Sequence, residues 1–208
     1  MTTLRAGEDH EGLVLGGGGV DARDDPAAVT DYCDARLEQS QFDDCRFTGL
    51  QLARARFDHG VIRRTTLQSI EGVNASFAGA ALTDVVFRSS RLVGADFASS
   101  AMKGVVFDDC NLTLASFRFG RFTSATFRGC NLTEVDFQGL KATSVVFEEC
   151  RMEATEFSQA TFQNGSLSGC EVVSLSGVQF LAGLTIDEPA LLALAPALAA
   201  TLGIRMQW

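Results

Sequence analysis

Residues 95–117 read ADFASSAMKGVVFDDCNLTLASF, and within them a large apolar side chain stands at every fifth place: Phe97, Met102, Phe107, Leu112, Phe117. Working outward in both directions, the register holds without insertion or deletion from Tyr32 to Val172. Of its 29 centres 27 are bulky, and they take 14 of the 16 phenylalanines. A fixed short period sustained this far marks a repeat architecture rather than an ordinary globular core.

Five residues match neither the 3.6-residue helical period nor a long alternating strand. They do match two or three extended residues followed by a tight corner. Side chains alternate along an extended segment, so the residue two before each centre faces the same way as the centre. Those sites are mostly small: Ala35, Ala55, Ala75, Ala80, Ala95, Ala115, Ala125 and Ala160, with cysteines and hydroxyl residues elsewhere. Gly72 and Ala142 are the small centres, and each is preceded by bulk two places earlier, at Ile70 and Leu140. Interior volume is thereby conserved, as close packing demands.

Cys110, Cys130, Cys150 and Cys170 recur at twenty-residue steps. The spacing predicts four pentapeptides per turn, with the thiols stacked as small, reduced, buried side chains. A metal site is the poorer reading, since there is no CxxC pair and histidine occurs only as His10 and His59. Phenylalanine fills the centres ending in 7 from Phe77 to Phe157, so opposite walls should carry it. At one strand spacing per turn, the rod should be about 34 Å long.

Ala95-Asp96-Phe97, Cys110-Asn111-Leu112, Cys130-Asn131-Leu132 and Ala35-Arg36-Leu37 resemble the A(D/N)LXX signature of the pentapeptide-repeat proteins. The resemblance implies an all-β, right-handed quadrilateral parallel β-helix. It also implies a binding role, because several members inhibit or protect DNA gyrase by imitating duplex DNA, notably the quinolone-resistance proteins. Related members dimerise through their C-terminal ends.

Three segments are expected. Residues 1–30 should be a flexible, acidic, Gly-rich tail; Gly16 to Gly19 lack the Lys-Ser/Thr of a phosphate loop and read as linker. Residues 31–183 should form the β-helix. Residues 184–208 should form a helical cap, started by Asp187, kinked or restarted at Pro196 and stopped by Gly203. Its apolar surface predicts a homodimer through Leu191, Leu192, Leu194, Leu198 and Leu202.

Nothing assembles a nucleophile–base pair, so the expectation is a non-enzymatic protein needing no cofactor. No apolar run suits a signal peptide or membrane span, which points to the cytoplasm. Arg88, Asp108/Asp109, Arg128 and Glu148/Glu149 follow one another at twenty-residue steps and predict a surface ion-pair ladder. Net charge is −9, yet residues 31–183 hold 18 acids against 14 bases. Duplex DNA carries one charge per ~1.7 Å, so average density falls several-fold short of it. Arg63, Arg64, Lys103, Arg121 and Lys141 crowd one wall against Asp84, leaving the others more acidic. Asp96, Asp136 and Glu156 should share one acidic wall, with Glu134, Glu153 and Glu171 on its neighbour. These acids and the corner residue Phe119 are the candidate contacts for a protein partner. The Val86, Val106, Val146 column suits the β-propensity of a flat wall. The leading expectation is a partial DNA mimic acting on gyrase without itself binding nucleic acid. The alternative is a scaffolding solenoid for another protein.

Overall fold

The computed structural model describes residues 7–11, 14–15 and 31–204. The chain winds into a four-sided parallel β-solenoid of about seven turns with one C-terminal helix. Through the body of the solenoid pairing joins residues twenty apart, as in Gln41↔Val61, Val61↔Ala81 and Phe127↔Phe147, so the twenty-residue register is the turn itself. Most strands are two to four residues long; Ala101–Asp108 and Arg121–Arg128 run through a corner, the latter pair with a bulge between Phe122 and Ser124.

Four walls follow from the centres. The first holds Phe42, Ile62, Leu82, Met102, Phe122, Ala142 and Phe162, and the second runs from Phe47 to Leu167. The third runs from Tyr32 to Val172, and the fourth from Leu37 to Phe157. Phe87, Phe107, Phe127 and Phe147 stack along the second wall at 4.8, 4.9 and 5.2 Å between ring centroids. Phe57, Phe77, Phe97 and Phe117 stack along the fourth at 4.9 Å per step. The two stacks meet edge to face across the interior, Phe107 lying 5.5 Å from Phe97 and 5.7 Å from Phe117. Phenylalanine on opposite walls, as the sequence predicts, thus gives each ring both favourable aromatic geometries at once.

The inward residues two before each centre are buried too, including Ala75, Ala95, Ala115 and Val135. At Gly72 an added Cβ would lie 2.9 Å from a Leu92 methyl and 3.6 Å from Ile70. Ile70 and Leu140 fill the space their small centres leave, and both are fully buried.

The cysteine column has a physical cause beyond packing. Corners after the third and fourth walls close with a turn bond, as in Ala95 N–H to Leu92 O (3.1 Å) and Ala80 N–H to Phe77 O (3.1 Å). The corner after the second wall, where the column Ile70, Ser90, Cys110, Cys130, Cys150 and Cys170 lies, has no such bond among the described residues. At two places in the column the N–H is satisfied by the column residue of the next turn instead. Ile70 N–H donates to Ser90 Oγ (3.1 Å) and Cys150 N–H to Cys170 Sγ (3.4 Å). Each hydroxyl or thiol then donates onward, Ser90 to Arg88 O and Cys150 to Phe127 O (3.4 Å). All six cysteines are free thiols. The neighbouring Cys110 and Cys150 thiols, and after them burial, push the Cys130 thiol far up, so it stays a protonated donor.

A test follows directly. Cys170 accepts the Cys150 N–H, so Cys170→Ala strands that donor and should cost about 1–3 kcal/mol, whereas Cys170→Ser should cost under ~1. Equal losses in thermal denaturation would reduce the column to simple packing.

Both ends depart from the sequence reading. Much of the tail expected over 1–30, the Gly16–Gly19 run included, lies outside the described residues, but Asp9–Glu11 pairs with Gln41–Asp43 and Val14–Leu15 with Arg46–Thr48. Part of the tail is therefore strand, bonded to the edge that an open solenoid leaves unpaired. At the other end Leu184–Ile186 pairs with Gly165–Leu167, carrying the second wall past 183. A single helix, α1, spans Glu188–Thr201. Asp187 caps it through Ala190 N–H (3.1 Å) and also accepts from Gly169 N–H (2.6 Å), tying the helix to the last full turn. Pro196 neither breaks nor restarts α1. Proline removes one donor, which the remaining turns of a packed helix absorb. Gly203, in the left-handed region at φ 72°, follows its end.

Candidate protein-binding surface

The corners decide which outward side chains are presented. Most are turned by one residue in the left-handed region, where short polar residues and glycine are favoured. Leu114 (φ 62°) and Phe119 (φ 56°) break that rule, and both are more than half exposed. They flank one segment of the fourth wall. The Phe119 ring fills the space above Gly139, where an added Cβ would lie 2.5 Å from it, and the Arg118 guanidinium carbon sits 5.5 Å from its centroid. Phe119 is thus seated on its own chain on one side and open on the other. Sequence reading missed Leu114, although a leucine at a corner place was a visible exception.

Asp96, Asp136 and Glu156 do share the fourth wall, in the bridged column Asp96↔Ser116↔Asp136↔Glu156. Each carboxylate accepts the N–H two residues on: from Ala98 (2.8 Å), Gln138 (2.8 Å) and Ser158 (2.5 Å). Asp136 also pairs with Arg118 at 2.7 Å. On the third wall Arg151 lies between Glu153 (2.8 Å) and Glu171 (2.6 Å), and both carboxylates raise the arginine's affinity for its proton. Three of the six named acids are therefore ion-paired. Asp96, Glu134 and Glu156 have no ion pair among the described residues. The arginines that neutralise the rest sit at offsets of 2, 18 and 20 residues, readable once a turn is known to be twenty.

The ladder on the second wall forms as two rungs, Arg88–Asp108 (3.1 Å) and Arg128–Glu148 (2.9 Å). On the first wall Arg64 is paired with Asp43 (2.6 Å), while Lys103, Arg121 and Lys141 are exposed on consecutive turns.

The helix sorts the five predicted dimer leucines. Leu191, Leu192 and Leu202 are exposed, together with Ile204. Leu194 is buried and Leu198 half-buried, because α1 packs against Glu171–Val172 and the 3-10 turn Val178–Phe180. Leu194 and Leu198 are therefore part of the lid over the core, not of the outer surface. Among the described residues no helix is long and apolar enough to cross a membrane.

Two family models match the chain: a pentapeptide repeat region over residues 40–117, and pentapeptide repeats in eight copies over 110–148 and 130–169. No curated protein matches its sequence. Among solved structures it is similar to QnrB1, a plasmid-mediated fluoroquinolone resistance protein, at 19% identity and TM-score 0.41, covering 98% of this chain and 93% of that one. It is similar to HetL of the cyanobacterium Nostoc, a pentapeptide repeat protein involved in heterocyst differentiation regulation, at 14% identity and TM-score 0.35, covering 89% and 92%. A pentapeptide repeat protein of the Arabidopsis thaliana thylakoid lumen is 28% identical with TM-score 0.35, covering 46% of this chain and 63% of that one.

Proposed function

The chain belongs to the pentapeptide-repeat family, and from that premise we propose that it is a non-enzymatic binding protein whose acidic walls engage a protein that ordinarily grips duplex DNA, with DNA gyrase as the partner. One observation carries this reading: the Asp96, Asp136, Glu156 column runs straight along a flat wall, with Glu134 on the wall beside it and Phe119 on its far corner. Acids one or two turns apart lie about 5–10 Å from one another, a spacing that a phosphate-binding groove can accept. The mimicry is partial, since three of the six acids already have cationic partners. Gyrase supercoiling should therefore change at micromolar protein, and the effect should fade as salt rises through the physiological range. Asp96→Asn with Glu156→Gln should weaken it roughly tenfold, by analogy with the loss of two charge-assisted contacts. Unchanged supercoiling at low ionic strength would sink the gyrase assignment.

The ion-paired acids favour a second reading, a scaffold for a protein that is not a DNA binder, because neutralised walls offer shape more than charge. In that case binding to a captured partner would be insensitive to salt.

We further propose that the chain dimerises through the outer face of α1. Exposed Leu191, Leu192, Leu202 and Ile204 lie in or just past one short segment, and a two-fold contact would bury them in both copies. Leu191→Glu with Leu192→Glu should yield a folded protein lacking this contact. Leu198 is unsuited to the test because it packs on the core. An apparent mass by sedimentation unchanged between wild type and double variant would remove the helix from the assembly.

A further inference from the structure

The outer surface of the second wall is complementary to itself. Its rows lie in continuous register: Arg46↔Thr66, Thr66↔Val86, Val86↔Val106, Val106↔Thr126, Thr126↔Val146, Val146↔Ser166 and Ser166↔Thr185. Two columns face outward. One contains the half-buried Val86, Val106, Thr126 and Val146; the other contains Arg88, Asp108, Arg128 and Glu148.

We infer that a second copy of this chain docks on this wall, antiparallel, about a two-fold axis in the interface that passes midway between the Asp108 and Arg128 rows. Such an axis runs along the strands, so each column faces its own counterpart while the order of rows is reversed. Arg88 then opposes the partner's Glu148, and Asp108 the partner's Arg128. Within each copy Arg88 already pairs with Asp108 and Arg128 with Glu148. The crossing contacts close these into two four-membered rings of alternating charge. Beside them Val86 meets the partner's Val146, and Val106 the partner's Thr126, giving a β-branched seam.

The register is selective. Moving the axis onto the Asp108 row sets Asp108 against itself and Arg88 against Arg128. Moving it onto the Arg128 row sets Arg128 against itself and Asp108 against Glu148. A parallel arrangement, with the axis along the rod, puts the charged column over the valines. The midway register sets the Arg46–Thr48 row over the Thr185–Asp187 row and leaves the Val14–Leu15 row beyond them, and no like charges meet between the superposed rows. At the corners, Asp84 faces Ser144, Arg64 faces Asn164 and Glu149 faces Ser89. α1 packs against Glu171–Val172 and Val178–Phe180, on other walls. A wall ~38 Å long and ~12 Å wide, from the strand spacing and rise, buries roughly 900 Å² in total. That is the size of a weak, reversible interface, one that charge complementarity rather than area must select.

The experiment is done in the Leu191→Glu/Leu192→Glu protein, so that association through α1 does not obscure the result. By sedimentation equilibrium this protein should self-associate at low ionic strength and dissociate as salt is raised. An all-acidic wall (Arg88→Glu with Arg128→Glu) and an all-basic wall (Asp108→Lys with Glu148→Lys) should each weaken association by more than ~tenfold. Mixed one to one, the two should form a heterodimer, because every crossing pair is again opposite in sign. Circular dichroism of each variant establishes that the β-helix is intact, these side chains lying on the outside. A parent that stays monomeric at low salt and high concentration, or folded variants that fail to associate when mixed, would overturn the proposal.

Discussion

Phe107→Ala should lower the stability of the solenoid by about 3–5 kcal/mol, more than any surface substitution in the chain. Phe107 is the most fully engaged kind of ring in the molecule. It stacks on Phe87 and Phe127 at 4.8 and 4.9 Å and meets Phe97 and Phe117 edge-on at 5.5 and 5.7 Å. Removing it deletes the transfer energy of a fully buried side chain and leaves a void that the walls cannot close. Each wall is fixed to the turns on either side by parallel pairing, such as Val106↔Thr126 and Val86↔Val106, so collapse would break strand register. Phe162 near the C-terminal end makes one aromatic contact among the described residues, to Phe157 at 5.8 Å, and sits slightly exposed. Phe162→Ala should therefore cost distinctly less, about 2–3 kcal/mol. Urea denaturation of the two variants measures the difference. Equal losses would mean that the interior behaves as a plastic column rather than as interlocked stacks.

A central defect should also be felt beyond its own turn. Each coil contacts only its neighbours, so stability is carried along the rod by nearest-neighbour interfaces. Hydrogen exchange should lose protection in the 87–127 turns before the ends of the helix respond.

The architecture was legible because the period five is carried by bulk, and bulk is visible in a list of residues. Phe107 and Phe127 declare the wall they occupy, and the cysteines declare the turn. What did not follow from residue type was who satisfies whom. The Cys150 N–H lacks a turn bond because of the corner's backbone shape, and only the coordinates show that Cys170 accepts it. The acidic surface was legible as columns and misleading as charge. Asp136, Glu153 and Glu171 stand where expected, yet Arg118 and Arg151 offset them from neighbouring places in the coil. The C-terminal leucines show the same limit: composition says that α1 is apolar nearly all round, while packing decides that Leu194 faces in and Leu192 faces out.

Gly72→Leu should destabilise the protein by about 3 kcal/mol, and adding Ile70→Ala to it should recover most of that loss. Gly72 is a centre without a side chain, and its φ lies outside the left-handed region, so the backbone accepts a leucine there. Space does not. An added Cβ would already lie 2.9 Å from the Leu92 methyl and 3.6 Å from Ile70, before the branched end is placed. Overpacking of this kind costs about 1–3 kcal/mol, at the upper end here because walls held by parallel bridges on both sides cannot move apart. Ile70→Ala alone should cost about 2–5 kcal/mol by opening a cavity where Gly72 has nothing to offer. Together the two changes turn Ile70 and Gly72 into the small-then-large order that Ser90 with Leu92 and Cys110 with Leu112 already use on the following turns. The Ile70 N–H keeps its bond to Ser90 Oγ throughout, since only the side chain changes. A double variant more stable than either single one would thus show that the two positions share one interior volume. Simple addition of the two losses would show instead that bulk at 70 and bulk at 72 fill separate spaces, and the account of how the repeat tolerates its exceptions would fail.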